Sequence, residues 1–461
     1  MTIEHQLPRT GDTGATRPLS ANEEFLCAFD RGDELGVFGP RGIVLAGWRV
    51  RGRLDLPTVQ LALDDVVARH EVLRTSLVRD KDAPYARVFP PSPVDLAVVD
   101  LPPADAADRE QQAHEFLNDV DQAGRLAAKE MPLLQATLGR FDDEDAVLVL
   151  VTNHLVSDGW SMHVIMRDFA VRYAKRRGAP APELPETRQF GEFVQWQREA
   201  RTSESAAIAR EYWREKLAGG TMVTTPTDRP RRFDVPPVYA VHRFLFDREL
   251  VSATTALAES LNSSSFMVFF ACWNLFLHRR TGVSDIATPI ITAGRTEPAF
   301  EDTVGPLFNF LPIRTDLSGC ASFADLVHRT RSVLLEAYSH YLPFNDIIAQ
   351  SAPELMRSTT INVNSVVTAF QISQFPPDAE AEGIGDIRYT ALRRRLISSV
   401  DTSEIPDGNL WDFDLDPSGD LVGVVKFNSL DFDESTIVEM VDEYRELLRA
   451  SLKAPDAPLP G

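Results

Sequence analysis

At 461 residues, 44% hydrophobic and 25% charged, the chain is too apolar for wholesale disorder and too long for one ordinary core, so two lobes of roughly 200 residues each are expected. A formal net charge of -21 excludes a nucleic-acid binder, which needs a basic surface, and an anionic membrane would repel the chain as well. Cys27, Cys272 and Cys320 lie far apart, with no CxxC and no histidine at metal spacing, which suits free thiols in a reducing cytoplasm rather than a disulfide framework or a zinc site.

Residues 1–18 are polar and turn-rich, a flexible lead-in without the apolar stretch of a signal peptide. Ile43 to Val50 reads as a strand. Asp55 and Pro57 then open a helix that carries Val59, Leu63, Val66, Val67, His70 and Leu73 at helical spacing. Residues 90–105, rich in proline and aspartate, form a surface connection, and a second helix covers 107–128. The run Ala146 to Thr152 is almost continuously apolar and β-branched, the mark of a strand buried on both faces, and it ends at Asn153-His154.

Beyond Gly159 the period changes. Met162, Ile165, Met166, Phe169 and Tyr173 recur at three and four, and Lys175-Arg176-Arg177-Gly178 closes an amphipathic helix. The proline-rich stretch after it marks the lobe boundary, giving an N-terminal lobe over 19–180, a linker over 181–190 and a C-terminal lobe over 191–461. His242 to Phe246 is a strand, Asp247-Arg248-Glu249 a turn, and a helix follows from Leu250, in weak echo of residues 43–75. Phe266 to Leu277 is too short to span a membrane and reads as a buried helix. Asp285 to Thr292, Thr360 to Thr368 and Leu421 to Phe427 read as strands. The acidic, proline- and glycine-rich segment 374–386 is an exposed loop, a lid near 371–388.

Chemistry concentrates in Thr152-Asn153-His154-Leu155-Val156-Ser157-Asp158-Gly159-Trp160-Ser161. A histidine at the end of a buried strand reaches a cleft from a rigid backbone, and its proton affinity suits removal of a proton from a nucleophile. Asp158 either orients that ring or holds the loop by pairing with a cation. Gly159 permits a conformation or a close approach that a side chain would prevent. His70, His163 and His278 fall on helices without partners in sequence reach and read as packing or surface residues.

This segment resembles the HHxxxDG signature of nonribosomal peptide synthetase condensation domains, and further matches follow in that family's order. Pro18-Leu19-Ser20 resembles the opening motif, and Arg69 to Thr75 resembles RHExLRT. Phe190 to Gln197 resembles the aromatic segment, Gly294-Arg295 with Val304 to Arg314 resembles GR followed by VGxFxNTLPLR, and Leu342-Pro343-Phe344 resembles the PF motif. The likeness runs from about residue 18 to about 450.

The resemblance implies an α/β fold of two chloramphenicol acetyltransferase-like lobes forming a V-shaped pseudo-dimer, with an active-site tunnel at the junction. It implies His154 as the catalytic residue and Asp158 paired with Arg295 across the lobes. Trp160, Ser161, Asn309 and Trp411 are expected at the tunnel. Asn153 replaces the first signature histidine and keeps a donor and an acceptor, so activity is expected to survive. No resident cofactor is implied. The substrate arrives on the phosphopantetheine arm of a peptidyl or acyl carrier protein, and a small amine or alcohol receives the acyl group. With neither an adenylation nor a carrier segment in the sequence, the chain is expected to act as a free-standing enzyme, like those of enediyne-type pathways. The basic clusters Arg176-Arg177, Arg229 with Arg231-Arg232, and Arg393-Arg394-Arg395 are candidate docking points for an acidic carrier. Rival readings are an acyl-CoA-dependent O- or N-acyltransferase, a non-catalytic recruitment domain, which retention of His154 and Asp158 disfavours, and an epimerisation domain.

Overall fold

The computed structural model describes residues 14–80, 83–355, 362–373, 382–393, 398–400, 408–416 and 418–459. Two large mixed sheets organise them. The first has the strand order Glu382–Ile384, Ile387–Ala391, Ile43–Arg51, Asp145–Asn153, Leu134–Arg140, Asp95–Asp100. The second runs Asn309–Asp316, Asp285–Thr292, Ser365–Ser373, Asn409–Leu415, Leu421–Asn428, Tyr239–Phe246, Ser399–Val400, with Thr224–Pro226 pairing to one side. A small third sheet joins Thr16–Arg17, Tyr85–Val88 and Thr75–Val78.

Each large sheet has its own core. In the first, the strand Asp145–Asn153 is buried from Ala146 onward, as its unbroken apolar run requires, and lies antiparallel to Ile43–Arg51 from Ile43 opposite Asn153 to Arg51 opposite Asp145. Helix Leu56–Arg69 packs on helix Gly159–Arg176 beside it, and Asp55 caps the former by accepting the Thr58 N–H. In the second core, helix Ser265–Thr281 is buried continuously from Val268 to Leu277. No single helix among the described residues is long and apolar enough to cross a membrane.

Several boundaries differ from the sequence expectation. The helix expected over 107–128 is Ala106–Ala123; it stops where the Arg41 guanidinium donates to the carbonyls of Asp121, Gln122 and Gly124. Asp247 begins no separate turn, because its side chain accepts the Leu250 N–H and caps a helix starting at Arg248. The strand expected over 360–368 is Ser365–Ser373, and residues 360 and 361 lie outside the described residues. Of the expected lid, 374–381 also lies outside them, while 382–391 is a hairpin that crosses to the first sheet and pairs Arg388 with Arg51 through Ala391 with Trp48. A segment from late in the chain thereby covers what would otherwise be a bare sheet edge.

Candidate active site

Both sheets contribute to a cavity of about 920 Å³. The first supplies Ile43 to Trp48, the second supplies lining residues from six strands, and His154 stands at the wall where the strand Asp145–Asn153 ends. A smaller cavity of about 260 Å³ adjoins it and shares Phe25, Phe308 and Tyr341.

The His154 backbone N–H donates to Gly42 O at 2.7 Å, extending the strand pairing by one residue. Its ring Nδ1 lies 3.1 Å from Ser157 O. A carbonyl only accepts, so Nδ1 carries the hydrogen and Nε2 keeps the lone pair. Among the described residues Nε2 takes no hydrogen bond. The ring rests against Phe308, centroids 4.9 Å apart. Burial pulls the imidazole pKa below its ordinary value, the Asp158 charge opposes that shift, and Lys426 adds to it. The ring is therefore a neutral base at working pH.

Asn153 is fully buried; its Nδ2 donates to Leu126 O at 2.9 Å and its Oδ1 accepts Leu155 N–H at 3.0 Å. Asp158 does not orient the ring. Its Oδ1 accepts from Ser161 N, Ser161 Oγ and Arg295 Nη2, and its Oδ2 from Arg295 Nη1 at 2.9 Å and Leu307 N at 3.1 Å. Five donors saturate the carboxylate and tie the His154 loop to residues of the second half. The Ser157 carbonyl holds the imidazole instead.

Of the expected tunnel residues, Trp160 lines the cavity and donates from Nε1 to Glu301 O at 2.9 Å. Gly159 also lines it, but is not among the glycines with positive φ. Three expectations need correction. Ser161 is fully buried, its Oγ engaged by Asp158, Gly305 and Arg295, so it belongs to the clamp and not the lining. The Asn309 amide is spent on the backbone of Leu342 and Phe344, and the residue borders the smaller cavity only. Trp411 is fully buried in the second core against Trp273 and Phe276.

Trp411 misses the cavity by strand parity. Side chains alternate faces along Asn409–Leu415, so Trp411 and Phe413 enter the core while Leu410, Asp412 and Asp414 line the cavity. The sequence reading singles out neither these two acids nor Lys426, Arg243 and Asp121, which line the same space, and His163, expected as a packing or surface residue, lines it too. Arg243 meets Asp121 of the first half at 3.5 Å. Burial pushes the Lys426 ammonium down to about 8, and burial with the Arg393 charge pushes His163, edge-on to Trp48, down to about 3. A charged residue inside the apolar stretch Val424-Val425-Lys426-Phe427 was the available signal.

The remaining motif positions converge as brackets. Ser20 Oγ accepts the Glu23 N–H and the Glu23 carboxylate accepts the Ser20 N–H, a reciprocal cap at the start of a short helix; Ala21 N–H donates to Gln197 Oε1, Asn22 Nδ2 to Pro306 O, and Asn345 Nδ2 to Ala21 O. Gly294 has φ +68, and a Cβ there would sit 1.6 Å from Leu307 O, so only glycine carries the turn into Arg295. His70 is buried and bonds Asp168 at 2.9 Å. Among the basic clusters, Arg176 pairs with Asp65, Arg229 with Asp433 and Arg232 with Asp234. Arg177 is exposed. The Arg231 side chain is buried near Asp431 and Arg393 is buried at the cavity, so neither presents a surface; Arg394 and Arg395 lie outside the described residues.

The chain matches the Condensation domain family over residues 45–460. It is 31% identical over 424 residues to a linear gramicidin synthase polypeptide of Brevibacillus parabrevis, an alignment covering 88% of this chain and 8% of that one. With chondramide synthase cmdD of Chondromyces crocatus it shares 29% identity over 469 residues, covering 99% and 11%. The chain thus spans only a small part of these long synthetases. Among solved structures, the SgcC5 protein from Streptomyces globisporus superposes with a TM-score of 0.92 at 42% identity, covering 96% of this chain and 100% of that one. The X-domain from teicoplanin biosynthesis, at 21% identity and a TM-score of 0.76 over 97% and 98% of the two chains, shares the fold. A family match across nearly the whole sequence, on the chloramphenicol acetyltransferase-like fold of these relatives, shows that the chain belongs to the condensation domain family of nonribosomal peptide synthetases.

Proposed function

We propose that this condensation domain moves an acyl or aminoacyl group from a carrier protein's phosphopantetheine thioester to an amine or hydroxyl acceptor, with His154 as general base. The observation that carries the reading is the neutral imidazole at a cavity shared by both halves, Nδ1–H committed to Ser157 O and Nε2 available. The acceptor's nitrogen or oxygen attacks the thioester carbon while Nε2 takes its proton. As the tetrahedral species collapses, the C–S bond breaks and the proton passes to the departing pantetheine thiolate. The donor is already activated, so alignment in the cavity supplies much of the rate, and no resident cofactor takes part. The chain is read as working in the cytoplasm, where its three free thiols stay reduced.

A hydroxyl acceptor is favoured by one comparison. The SgcC5 protein was crystallised in complex with (R)-(-)-1-(2-naphthyl)-1,2-ethanediol, an aryl vicinal diol, and the cavity here offers Phe25, Phe266, Phe308 and Phe310 as apolar walls. An alcohol holds its proton more tightly than an amine, so ester formation should depend more steeply on His154 than amide formation.

The test is incubation with a panel of loaded carrier proteins and of acyl-CoA donors, each with amine and alcohol acceptors, read by mass spectrometry beside His154→Ala. Carrier-dependent product that vanishes in the variant is expected. Equal use of acyl-CoA would instead favour an acyl-CoA-dependent acyltransferase, and undiminished product in His154→Ala would remove the mechanism.

A further inference from the structure

The cavity face of the second sheet carries a row of polar groups that proton transfer at His154 does not use. The pairings place Gln371 beside Asp412, Asp412 beside Val424, and Val424 beside Arg243, and all four line the cavity. The next position along the Asp412 strand on that face is Asp414. Gln371 turns its amide N–H to Ser373 Oγ at 2.9 Å, away from the carboxyl. Arg243 is drawn to Asp121.

Asp412 is the odd member. Its Oδ1 is buried and takes no hydrogen bond among the described residues. A buried carboxyl oxygen without a donor is costly to keep, and this one faces the cavity, where a bound group can reach it. The strand leaves it no escape, since its neighbours Trp411 and Phe413 are locked in the core. Burial and the Asp414 charge hold the Asp412 carboxyl well above the usual range, while Lys426 and Arg243 pull the other way. Lys426 also bears on His154, which puts this row within electrostatic reach of the catalytic ring.

What would complete Asp412 is a hydrogen-bond donor, and a donor that also carries positive charge would relieve the repulsion between Asp412 and Asp414. The reacting nucleophile is not that cation, because an ammonium has no lone pair with which to attack a thioester. The cation is then a group that does not react, and on an aminoacyl donor the free amine is such a group. We infer that Asp412, with Asp414 behind it, is the subsite for the free ammonium of an aminoacyl donor, so that the enzyme selects donors carrying an unreacted amine. This rests on the donor reading given under the proposed function, and it adds the chemical class of the acyl group.

The experiment measures binding, so that it does not depend on turnover. Three hydrolysis-resistant pantetheine amides are titrated into wild type and Asp412→Asn by calorimetry: phenylalanyl, 3-amino-3-phenylpropanoyl, and 3-phenylpropanoyl, which is the deaminated counterpart of both. In wild type at least one amine-bearing probe should bind about ten-fold or more tighter than the deaminated one, the scale of a charge-assisted hydrogen bond. In Asp412→Asn, which keeps shape and loses charge, that ratio should fall toward one, with circular dichroism confirming the fold. Equal binding of all three by wild type, or a ratio that survives in Asp412→Asn, overturns the subsite and leaves the donor reading standing. No binding of any probe to wild type overturns the donor reading and the subsite with it.

Discussion

At the scale of single residues, the proposed chemistry turns on which imidazole nitrogen is left over. Because Ser157 O fixes the proton on Nδ1, acid should abolish activity by protonating Nε2, and catalysis should return as pH rises. Burial and Lys426 lower the His154 pKa, so the acid limb of kcat/KM is expected to lie below the ordinary histidine value of about 6.5; a midpoint at or above that value would contradict the assignment. His154→Ala should cost about 10²–10⁴-fold in turnover, the range of general-base catalysis, with unchanged circular dichroism. Buried His70 and His163 also have lowered pKa values. The unfolded chain then binds more protons than the native one at mildly acidic pH, so stability conferred by their neutral burial is full above about 6.5 and declines as pH falls below it. Urea midpoints measured from pH 7 down to pH 5 should decrease. His154 was legible in the sequence because a titratable group ended an unbroken apolar strand. Its orienting partner was not, since a main-chain carbonyl has no side-chain signature.

At the scale of elements, the Asp158–Arg295 clamp and the parity of one strand decide what the sequence could foretell. The clamp could be anticipated, since an acid beside the histidine and an arginine after a glycine follow the family pattern, and the two ion-pair at 2.9 Å. Arg295→Ala leaves Asp158 buried without its cation and should cost about 3–5 kcal/mol of stability. Arg295→Lys should recover only part, because a lysine cannot make the forked contact. Denaturant titration of the three proteins checks both statements, and equal stability of Arg295→Ala and wild type would show the clamp to be idle. The family likeness places Trp411 at the tunnel, and the sequence does not correct it because a tryptophan fits a binding surface as well as a core. Only the register with Leu421–Asn428, which pairs Trp411 with buried Val425, settles which way it points. Trp411→Ala should therefore lower stability by about 3–5 kcal/mol and leave KM for either substrate nearly unchanged near room temperature. A selective rise in KM would place the ring at the substrate after all.

At the scale of the whole molecule, the proposed reading asks an acidic chain to dock an acidic carrier despite a repulsive global field. Most candidate arginines are already paired with neighbouring carboxylates, which leaves Arg177 as the exposed cation to test first. Arg177→Glu is expected to raise the apparent KM for a carrier-bound donor several-fold and to leave a pantetheine thioester mimic unaffected. Equal effects on both donors, or on neither, would take docking away from this position. The two-core organisation followed from length and from the apolar runs. The path of residues 382–391 was hidden, because a glycine-containing acidic stretch reads as a loop until a partner strand is in view.

That hairpin has a practical consequence for anyone recombining these enzymes. A chimera built by joining the front of one homologue to the back of another would import a foreign edge into the first sheet, opposite Trp48 to Arg51. Parent sequences mismatched at those contacts should yield insoluble hybrids. Grafting 382–391 together with the front portion should restore expression, so a compatible splice follows sheet membership, not position along the gene.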